Sequence, residues 1–200
     1  LPDIDFNIRA GNTLVGFASK EEVRKALQDK QVGGGVQQSR MLFGEDETAL
    51  RAIEEKAGDI DRLFSRFRAM QTGGEQNEFD AADFATTKKQ LHERLKGLEK
   101  ELNELLARQY GVHQYNHQAY QKWESSHQPF HWFTEFYGIL EQGGFDVIIG
   151  NPPYVQYKKV EKESYSVVGF RTISSNNLFA LVMEQTCSLL VKGGRHGMIV

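Results

Sequence analysis

Apolar residues recur at helical spacing through the middle of the chain. From residue 45 to residue 70 they follow one another at steps of three and four among charged residues, which is typical of a helix with one buried face. A stripe of leucines continues this pattern in a Lys/Glu-rich background: Leu91, Leu95, Leu98, Leu102 and Leu105. Because Gly73–Gly74 separates the two segments, we predict an antiparallel helical hairpin over about 45–110. The stripe covers about two heptads, which favours an intramolecular seam over a dimerising coiled coil.

Shorter elements are predicted on both sides of the hairpin. Ser19 and Glu22 have the spacing of a capping box, which indicates a helix over 20–29. Residues 7–16 contain turn signals after a short apolar stretch and predict a strand that closes in a Gly-Asn turn. The glycines at 33–35 favour a flexible connector. Residues 111–136 are rich in aromatic rings, which we expect to pack at the base of a sheet.

The last third of the chain has the pattern of a strand, a helix and a second strand. Residues 145–150 are a continuous apolar run of the kind that is buried on both faces of a parallel sheet. Residues 177–191 predict a helix that ends at a glycine C-cap in Lys192-Gly193-Gly194. Residues 196–200 predict the next strand. Together they indicate a βαβ unit.

An unusual tetrapeptide, Asn151-Pro152-Pro153-Tyr154, directly follows the first of these strands. Ligands of open α/β sheets bind beyond the carboxyl ends of the strands. The Asn151 carboxamide and the Pro152 carbonyl could both accept hydrogen bonds from an exocyclic amine, and this would direct the nitrogen lone pair towards attack. Tyr154 offers a face for stacking, which is worth ~1–3 kcal/mol per base in nucleic-acid complexes. A base could reach such a pocket only after flipping out of the duplex.

Two consecutive prolines make this loop stiff and remove two N–H donors from it. The combination resembles the catalytic motif of the S-adenosylmethionine-dependent DNA methyltransferases that modify amino groups. In that family, the Asn side chain and the first Pro carbonyl bind the adenine N6 amine, while Tyr stacks on the flipped adenine. The resemblance therefore implies catalytic roles for Asn151, Pro152 and Tyr154, and a substrate-binding loop that includes Pro153.

The resemblance extends to both ends of the chain. Residues 7–14 are similar to the family motif whose acidic or amide residue contacts the cofactor adenine, which implies cofactor contacts by Asn12 and Leu14, with Asn151 as a third. The segments 130–133 and 177–194 resemble the lead-in and the following helix and strand of long N6-adenine methyltransferases from bifunctional type II restriction-modification and phage-defence systems. This implies a partial Rossmann-like methyltransferase sheet interrupted by an inserted helical hairpin.

The resemblance also implies a division of the chain and further parts outside it. Residues 1–17 and 130–200 would belong to the methyltransferase core, and residues 18–129 to the helical insertion. The chain would be an internal fragment that is inactive alone, since the Gly-rich cofactor loop is expected before residue 1. A target-recognition domain is expected after residue 200, and a nuclease domain could share the parent chain.

Composition restricts these expectations only moderately. The 200 residues carry 24 Lys and Arg against 27 Asp and Glu, a formal net charge of −3, so DNA binding must be argued from local residues. Cys187 is the single cysteine and lies in an apolar pattern, which favours core packing. There is neither a run of roughly 18–20 apolar residues nor a signal peptide, so we expect a cytoplasmic protein without membrane contacts.

Several alternatives remain open at this level. The four-residue spacings of His113 with His117 and of His127 with His131 could suit a metal pair, but no third ligand accompanies them, and we expect no metal site. The tetrapeptide could equally bind an RNA base or a protein glutamine side chain. It could also be an ordinary turn at the end of a strand. The rival from a different class is a protein in which the hairpin is a protein-interaction module and the sheet only a support.

Overall fold

The computed structural model describes residues 6–28, 39–72 and 81–199. Within those ranges, the chain combines helices with one short parallel sheet of two strands, which confirms the predicted α/β class. The elements in chain order are α1 Lys20–Gln28, α2 Ser39–Thr72, α3 Ala81–Gln109, α4 His117–His127, α5 Trp132–Glu135, α6 Tyr137–Glu141, β1 Phe145–Gly150, α7 Tyr157–Glu163, a 3₁₀ turn Arg171–Ser175, α8 Leu178–Ser188 and β2 Leu190–Met198. The glycine connectors predicted at 33–35 and 73–74 lie outside the described residues.

Helix α1 begins with the predicted capping box. The Glu22 N–H donates to Ser19 Oγ at 3.3 Å, and the Glu22 carboxylate accepts from the Ala18 N–H at 2.6 Å. The first bond satisfies a donor that the first helical turn leaves unpaired, and the second ties the helix to the residue before its N-cap. The helix then buries Val23, Ala26 and Leu27.

Helices α2 and α3 pack as an antiparallel pair. Three cross-helix contacts run in opposite chain directions: Lys56 with Glu101, Asp59 with Arg94, and Phe67 with Phe84. The apolar stripes face each other, as their spacing predicts. Their buried members are Leu50, Ile53, Ala57, Ile60 and Phe67 on α2 and Leu91, Leu98, Leu102, Leu105 and Leu106 on α3. These residues belong to one apolar core with Leu14, Phe133 and Leu181, so the hairpin is packed into the rest of the chain.

Aromatic rings connect the hairpin to the sheet, as the composition of residues 111–136 predicts. Trp132 and Phe136 both make edge-to-face contacts with Phe145 at the start of β1, with ring centroids 6.1 Å and 5.2 Å apart. Phe130 and Phe133 are buried beside them. The base of β1 is therefore fixed by rings from the preceding segment.

Strands β1 and β2 pair in parallel, and α7 and α8 lie between them in sequence. Helix α8 covers one face of the pair, where Thr186 Oγ1 is hydrogen-bonded to His196 Nε2 at 2.8 Å. The opposite face is open among the described residues, since Val147 is 57% exposed and Ile149 80% exposed. The prediction that β1 is buried on both faces is therefore wrong for this structure.

The predicted boundary between α8 and β2 is also wrong. The helix ends at Ser188, and the strand already begins at Leu190. The pairing of Phe145 with Leu190 is followed by that of Val147 with Arg195, so β2 bulges between these two pairs. Gly193, at φ 87°, lies in the bulge, where a left-handed backbone is needed. The glycines thus serve an irregular strand and not a helix C-cap.

Two further expectations differ from the structure. Residues 7–16 form turns and an isolated bridge from Asn12 to Pro129 instead of a strand. Backbone φ angles of 156° at Gly11 and 150° at Gly16 interrupt an extended conformation there. Cys187 is exposed, because α8 buries only the side that carries Leu178, Leu181 and Thr186.

Candidate active site

The tetrapeptide Asn151–Tyr154 begins where the strand pairing ends. The Gly150 carbonyl still accepts a hydrogen bond from the Ile199 N–H, at 3.0 Å. The four residues that follow belong to neither a helix nor a strand. They form a loop at the carboxyl end of a parallel strand, which is the edge where α/β sheets bind ligands.

One proline of this loop is buried, and the residues around it are exposed. Pro152 is buried, whereas Asn151 and Pro153 are exposed and Tyr154 is 59% exposed. Among the described residues, no donor is hydrogen-bonded to the Asn151 side chain or to the Pro152 carbonyl. Both oxygens can therefore accept N–H donors from a ligand, and the Tyr154 ring can stack on one.

The far end of the loop is anchored to the start of α8. The Leu178 N–H donates to the Val155 carbonyl at 3.0 Å, and the Tyr157 N–H donates to the Asn176 carbonyl at 3.1 Å. The Asn176 side chain accepts from the Lys158 N–H at 2.8 Å and thus binds the first turn of α7. The loop is consequently held at both ends, at β1 and at α8.

Asn177 has an unusual environment next to this anchor. It forms an isolated antiparallel bridge with Gln156, and it occupies the N-cap position of α8 without a side-chain capping bond. Its Oδ1 is buried and has no hydrogen-bond partner among the described residues. Buried polar atoms are normally paired, so this acceptor carries an uncompensated desolvation cost.

The two residues assigned to the cofactor side lie in the turn before α1. Asn12 Oδ1 accepts the Leu14 N–H at 3.2 Å, and the Asn12 N–H donates to the Gln128 carbonyl at 2.7 Å. Asn12 is half-buried, whereas Leu14 is only 6% exposed and packs in the core. The carboxamide of Asn12 can contact a ligand; the Leu14 side chain serves mainly in packing.

The structure links the predicted cofactor-side turn, residues 12–17, to the segment that follows the candidate catalytic loop, residues 151–154. Burial raises the pKa of Tyr165, and a hydrogen bond with the Asn12 side chain partly offsets that rise. The Ser166 N–H donates to His127 Nε2 at 3.4 Å, and the Val167 N–H donates to the Tyr157 hydroxyl at 3.0 Å. Asn151 and Asn12 make no hydrogen bond with each other in the described ranges; these contacts join the turn of Asn12 to residues 157–167.

A cavity of about 590 Å³ lies between α1, the end of α3 and α8. Leu14 lines it, but no residue of the tetrapeptide does. Its wall includes Glu184, which accepts from the Thr172 N–H at 2.8 Å, the Thr172 hydroxyl at 2.7 Å and the Arg171 N–H at 3.0 Å. Partial desolvation opposes ionisation, but these hydrogen bonds outweigh it and lower the pKa of Glu184 to about 2. The carboxylate is thus occupied in holding the 3₁₀ turn against α8.

Sequence patterns did not indicate one buried polar group near the site. His131 is 2% exposed and is bonded to the Phe17 N–H and to Asn103, which lie 114 and 28 residues away along the chain. His131 is thus a buried, hydrogen-bonded residue of the core, and its partners are not readable from local spacing. In the described part of the chain, no group of three or more His, Cys, Asp and Glu residues could hold a metal ion.

The fold and the loop together define an α/β protein with an exposed amide and aromatic ring around a buried proline, at the end of a parallel strand. Residues 52–200 match the Eco57I restriction-modification methylase family, and the chain belongs to that family.

One curated relative is a protein of Methanocaldococcus jannaschii whose name describes a type II restriction enzyme and methyltransferase. It is 36% identical to this chain over 74 residues, which are 36% of the chain and 6% of the relative. The chain therefore spans only a small part of the length of this relative. No solved structure matches the chain significantly. In the ranges that the structure describes, no helix is long and apolar enough to cross a membrane.

Proposed function

We propose that this chain is the acceptor-binding part of a methyltransferase that transfers a methyl group from S-adenosylmethionine to adenine N6 in DNA, in a restriction-modification or phage-defence system. The observation that carries the proposal is the exposed Asn151 and Tyr154 around a buried Pro152, at the carboxyl end of β1 in a restriction-modification methylase. The relative from M. jannaschii, by its name, combines methylation with restriction.

The loop offers the groups that this reaction needs. Asn151 Oδ1 and the Pro152 carbonyl would each accept one N–H of the target amine, which draws its lone pair out of conjugation with the ring. Tyr154 would stack on the base after it has flipped from the duplex. Bound S-adenosylmethionine supplies a methyl group on a charged sulfonium. The main task of the protein is then to position the amine for direct displacement.

Asn12 is suited to hold the adenine end of the cofactor. Its Oδ1 already accepts the Leu14 N–H, which fixes the carboxamide while leaving one lone pair available. Asn151 would be the residue that meets both substrates. Leu14 would support the turn from the core, and its packing agrees better with that role than with a polar contact.

The proposed core comprises residues 1–17 and 130–200, arranged as part of a Rossmann-like sheet, with residues 18–129 as a helical insertion. The Gly-rich cofactor loop, the target-recognition domain and any nuclease domain would then belong to the parent chain. Because the described sheet has only β1 and β2, we expect the 200 residues alone to be inactive.

Replacing Asn151 tests the catalytic assignment. In the full-length protein, Asn151→Ala should still bind S-adenosylmethionine through Asn12, with a Kd raised by no more than about tenfold for the lost Asn151 contact. At saturating cofactor it should lose methyl transfer by at least about 100-fold, because positioning of the amine is lost. The measurement is incorporation of labelled methyl into duplex DNA, with identification of N6-methyladenine. Retention of wild-type activity would refute the role of Asn151.

Replacing Tyr154 tests the stacking assignment. Tyr154→Phe should keep most activity, whereas Tyr154→Ala should raise the KM for DNA about tenfold, as expected for the loss of one stacked ring. Tyr115→Ala is a matched control, since Tyr115 is also highly exposed, at 77%, but lies on the segment before α4. Equal activity of all three variants would exclude stacking by Tyr154.

The substrate class needs its own assay, because the donor and acceptor groups of the loop would also suit an RNA base or a glutamine side chain. Labelled cofactor should be supplied to the full-length protein with duplex DNA, RNA and protein in parallel. We expect methylation of DNA alone. Methylation of RNA or protein, sensitive to Asn151→Ala, would keep the chemistry and reassign the substrate.

A further inference from the structure

A chain of hydrogen bonds, buried at its centre, joins the cofactor-side turn to the helical hairpin. The Phe17 N–H donates to His131 Nδ1 at 3.0 Å, and His131 Nε2 lies 2.9 Å from Asn103 Oδ1. Asn103 Nδ2 in turn donates to Glu124 Oε1 at 3.1 Å. Four segments of the chain meet in this way: the turn before α1, the segment before α5, helix α3 and helix α4.

The direction of every bond in this chain is fixed. A backbone N–H can only donate, so His131 Nδ1 must be the unprotonated acceptor. The neutral ring then carries its proton on Nε2 and donates it to Asn103 Oδ1. This sets the orientation of the Asn103 carboxamide, and its NH2 group points to the carboxylate of Glu124. The chain has one consistent arrangement, with His131 in a single tautomer.

Burial makes this arrangement hard to change. His131 is 2% exposed and Asn103 is 4% exposed, so neither can exchange its partner for bulk water. Burial also lowers the pKa of His131 to about 3, which keeps the ring neutral at physiological pH. The neutral tautomer that bonds Phe17 and Asn103 is therefore the form present at neutral pH.

The turn and the segment around His131 cannot move independently, because backbone hydrogen bonds join them. The Phe130 N–H donates to the Val15 carbonyl at 2.7 Å, and the Phe133 N–H donates to the Phe17 carbonyl at 3.1 Å. A side chain at Gly16 would overlap the backbone of Phe130. The turn that begins with Asn12 is thus docked along residues 128–133, and α3 fixes that segment through Asn103.

We propose that Asn103 and His131 are positioning residues that set the placement of the cofactor-side turn, and that the hairpin thereby controls cofactor affinity. This inference rests on the proposed function, because it takes Asn12 as a contact of the cofactor adenine. It gives the helical hairpin a role in that function, which is to place the turn that carries Asn12. If the hairpin only supported the fold, changes at Asn103 and His131 would lower stability without a selective loss of cofactor affinity.

The test uses the full-length protein with Asn103→Leu, which removes the hydrogen bonds of α3 at similar size. We expect the Kd and the KM for S-adenosylmethionine to rise about tenfold, while kcat at saturating cofactor and the KM for DNA stay within about twofold. His131→Asn should show the same pattern. Its shorter side chain can still accept the Phe17 N–H but cannot reach Asn103.

Leu50→Ala is the matched control for general destabilisation. Leu50 is fully buried on α2 and takes no part in the hydrogen-bond chain. This variant should lower the Tm at least as much as Asn103→Leu and leave cofactor affinity within about twofold. If Asn103→Leu does not fold, His131→Asn alone decides.

Three results would overturn the inference. Unchanged cofactor affinity in the folded variants, beside normal binding by the wild type, would exclude the positioning role and leave the proposed function intact. A loss of affinity in Leu50→Ala equal to that in Asn103→Leu would show a purely structural effect. Absence of cofactor binding by the wild type would overturn the proposed function itself, and the inference with it.

Discussion

The helical hairpin and the parallel sheet bury their apolar residues to very different degrees. Leu50 on α2 and Leu91 and Leu102 on α3 are all 0% exposed. On β1, Val147 is 57% exposed and Ile149 is 80% exposed. Residues of similar hydrophobicity thus form a closed interface in one region and an open surface in the other.

The difference follows from what each element requires. An amphipathic helix has one apolar stripe, which a single partner helix can cover. A strand of a parallel sheet has two faces and two edges, and it normally has helices on both faces. Among the described residues, β1 has one partner strand and one covering helix. The hairpin is therefore expected to determine the stability of this chain, while the sheet region presents the candidate catalytic loop.

The largest expected contrast is in the free energy of unfolding of two variants, each with one apolar side chain shortened to alanine. Leu102→Ala should lower the free energy of unfolding by about 2–5 kcal/mol, because it leaves a cavity in a closed interface. Ile149→Ala should change it by less than about 0.5 kcal/mol, because its side chain is already exposed. Urea unfolding of both variants measures the difference. A large loss for Ile149→Ala that depends on protein concentration would show that the open face is covered by self-association.

Backbone geometry at two glycines gives the next contrast. Gly16 has φ 150° and faces the Phe130 carbonyl, whereas Gly97 lies in α3 with nothing within 4 Å of a Cβ placed there. Gly16→Ala should cost about 1–3 kcal/mol from backbone strain alone. Gly97→Ala should stabilise the chain by up to about 1 kcal/mol, since alanine favours helix. Thermal unfolding of the two variants measures this difference. An unchanged stability of Gly16→Ala would contradict the tight docking of the turn.

The sequence predicted the helices well because their signals are local. The leucine spacing of α3 and the capping box of α1 each involve residues a few positions apart. The hydrogen bonds of His131 join residues 28 and 114 positions apart, and no local pattern encodes them. Glycine was ambiguous for a different reason, because a C-cap and a strand bulge both need positive φ; Gly193 serves the bulge. The loop Asn151–Tyr154 was located correctly, since a strand followed by two prolines must end there.

Acid should affect the two regions at different pH. The pKa of His131 is lowered by burial from 6.5 to about 3, so the stability that it contributes is complete above pH 6.5 and declines as the pH falls towards 3. The pKa of Glu184 is lowered from 4.5 to about 2, because its hydrogen bonds outweigh desolvation, so its contribution declines only below pH 4.5. The hairpin contact should therefore weaken first.

Measurements between pH 7 and pH 5 test this order. Over this interval the free energy of unfolding of the wild type should fall by about 2 kcal/mol relative to that of His131→Asn. The reason is that His131 takes up a proton on unfolding below about pH 6.5, which costs about 1.4 kcal/mol per pH unit. The difference in free energy of unfolding between the wild type and Glu184→Gln should stay constant between pH 7 and pH 5 and decrease only below pH 4.5. Parallel curves for the wild type and His131→Asn from pH 7 to 5 would show that His131 is not buried in the neutral form.

The smallest expected effects compare two asparagines at helix N-caps, one in each region. Asn116 Oδ1 accepts the Ala119 N–H at 3.2 Å and caps α4, so Asn116→Ala should cost about 1 kcal/mol. Asn177 occupies the same position of α8 without such a bond, and its buried Oδ1 has no described partner. Asn177→Ala should therefore cost nothing, or stabilise the chain by up to about 1 kcal/mol, because it removes a buried acceptor whose desolvation is not compensated. Thermal unfolding compares the two, and a loss for Asn177→Ala as large as that for Asn116→Ala would mean that this acceptor is paired in solution. The anchor between the candidate catalytic loop and α8 would then be as tightly bonded as the helical region.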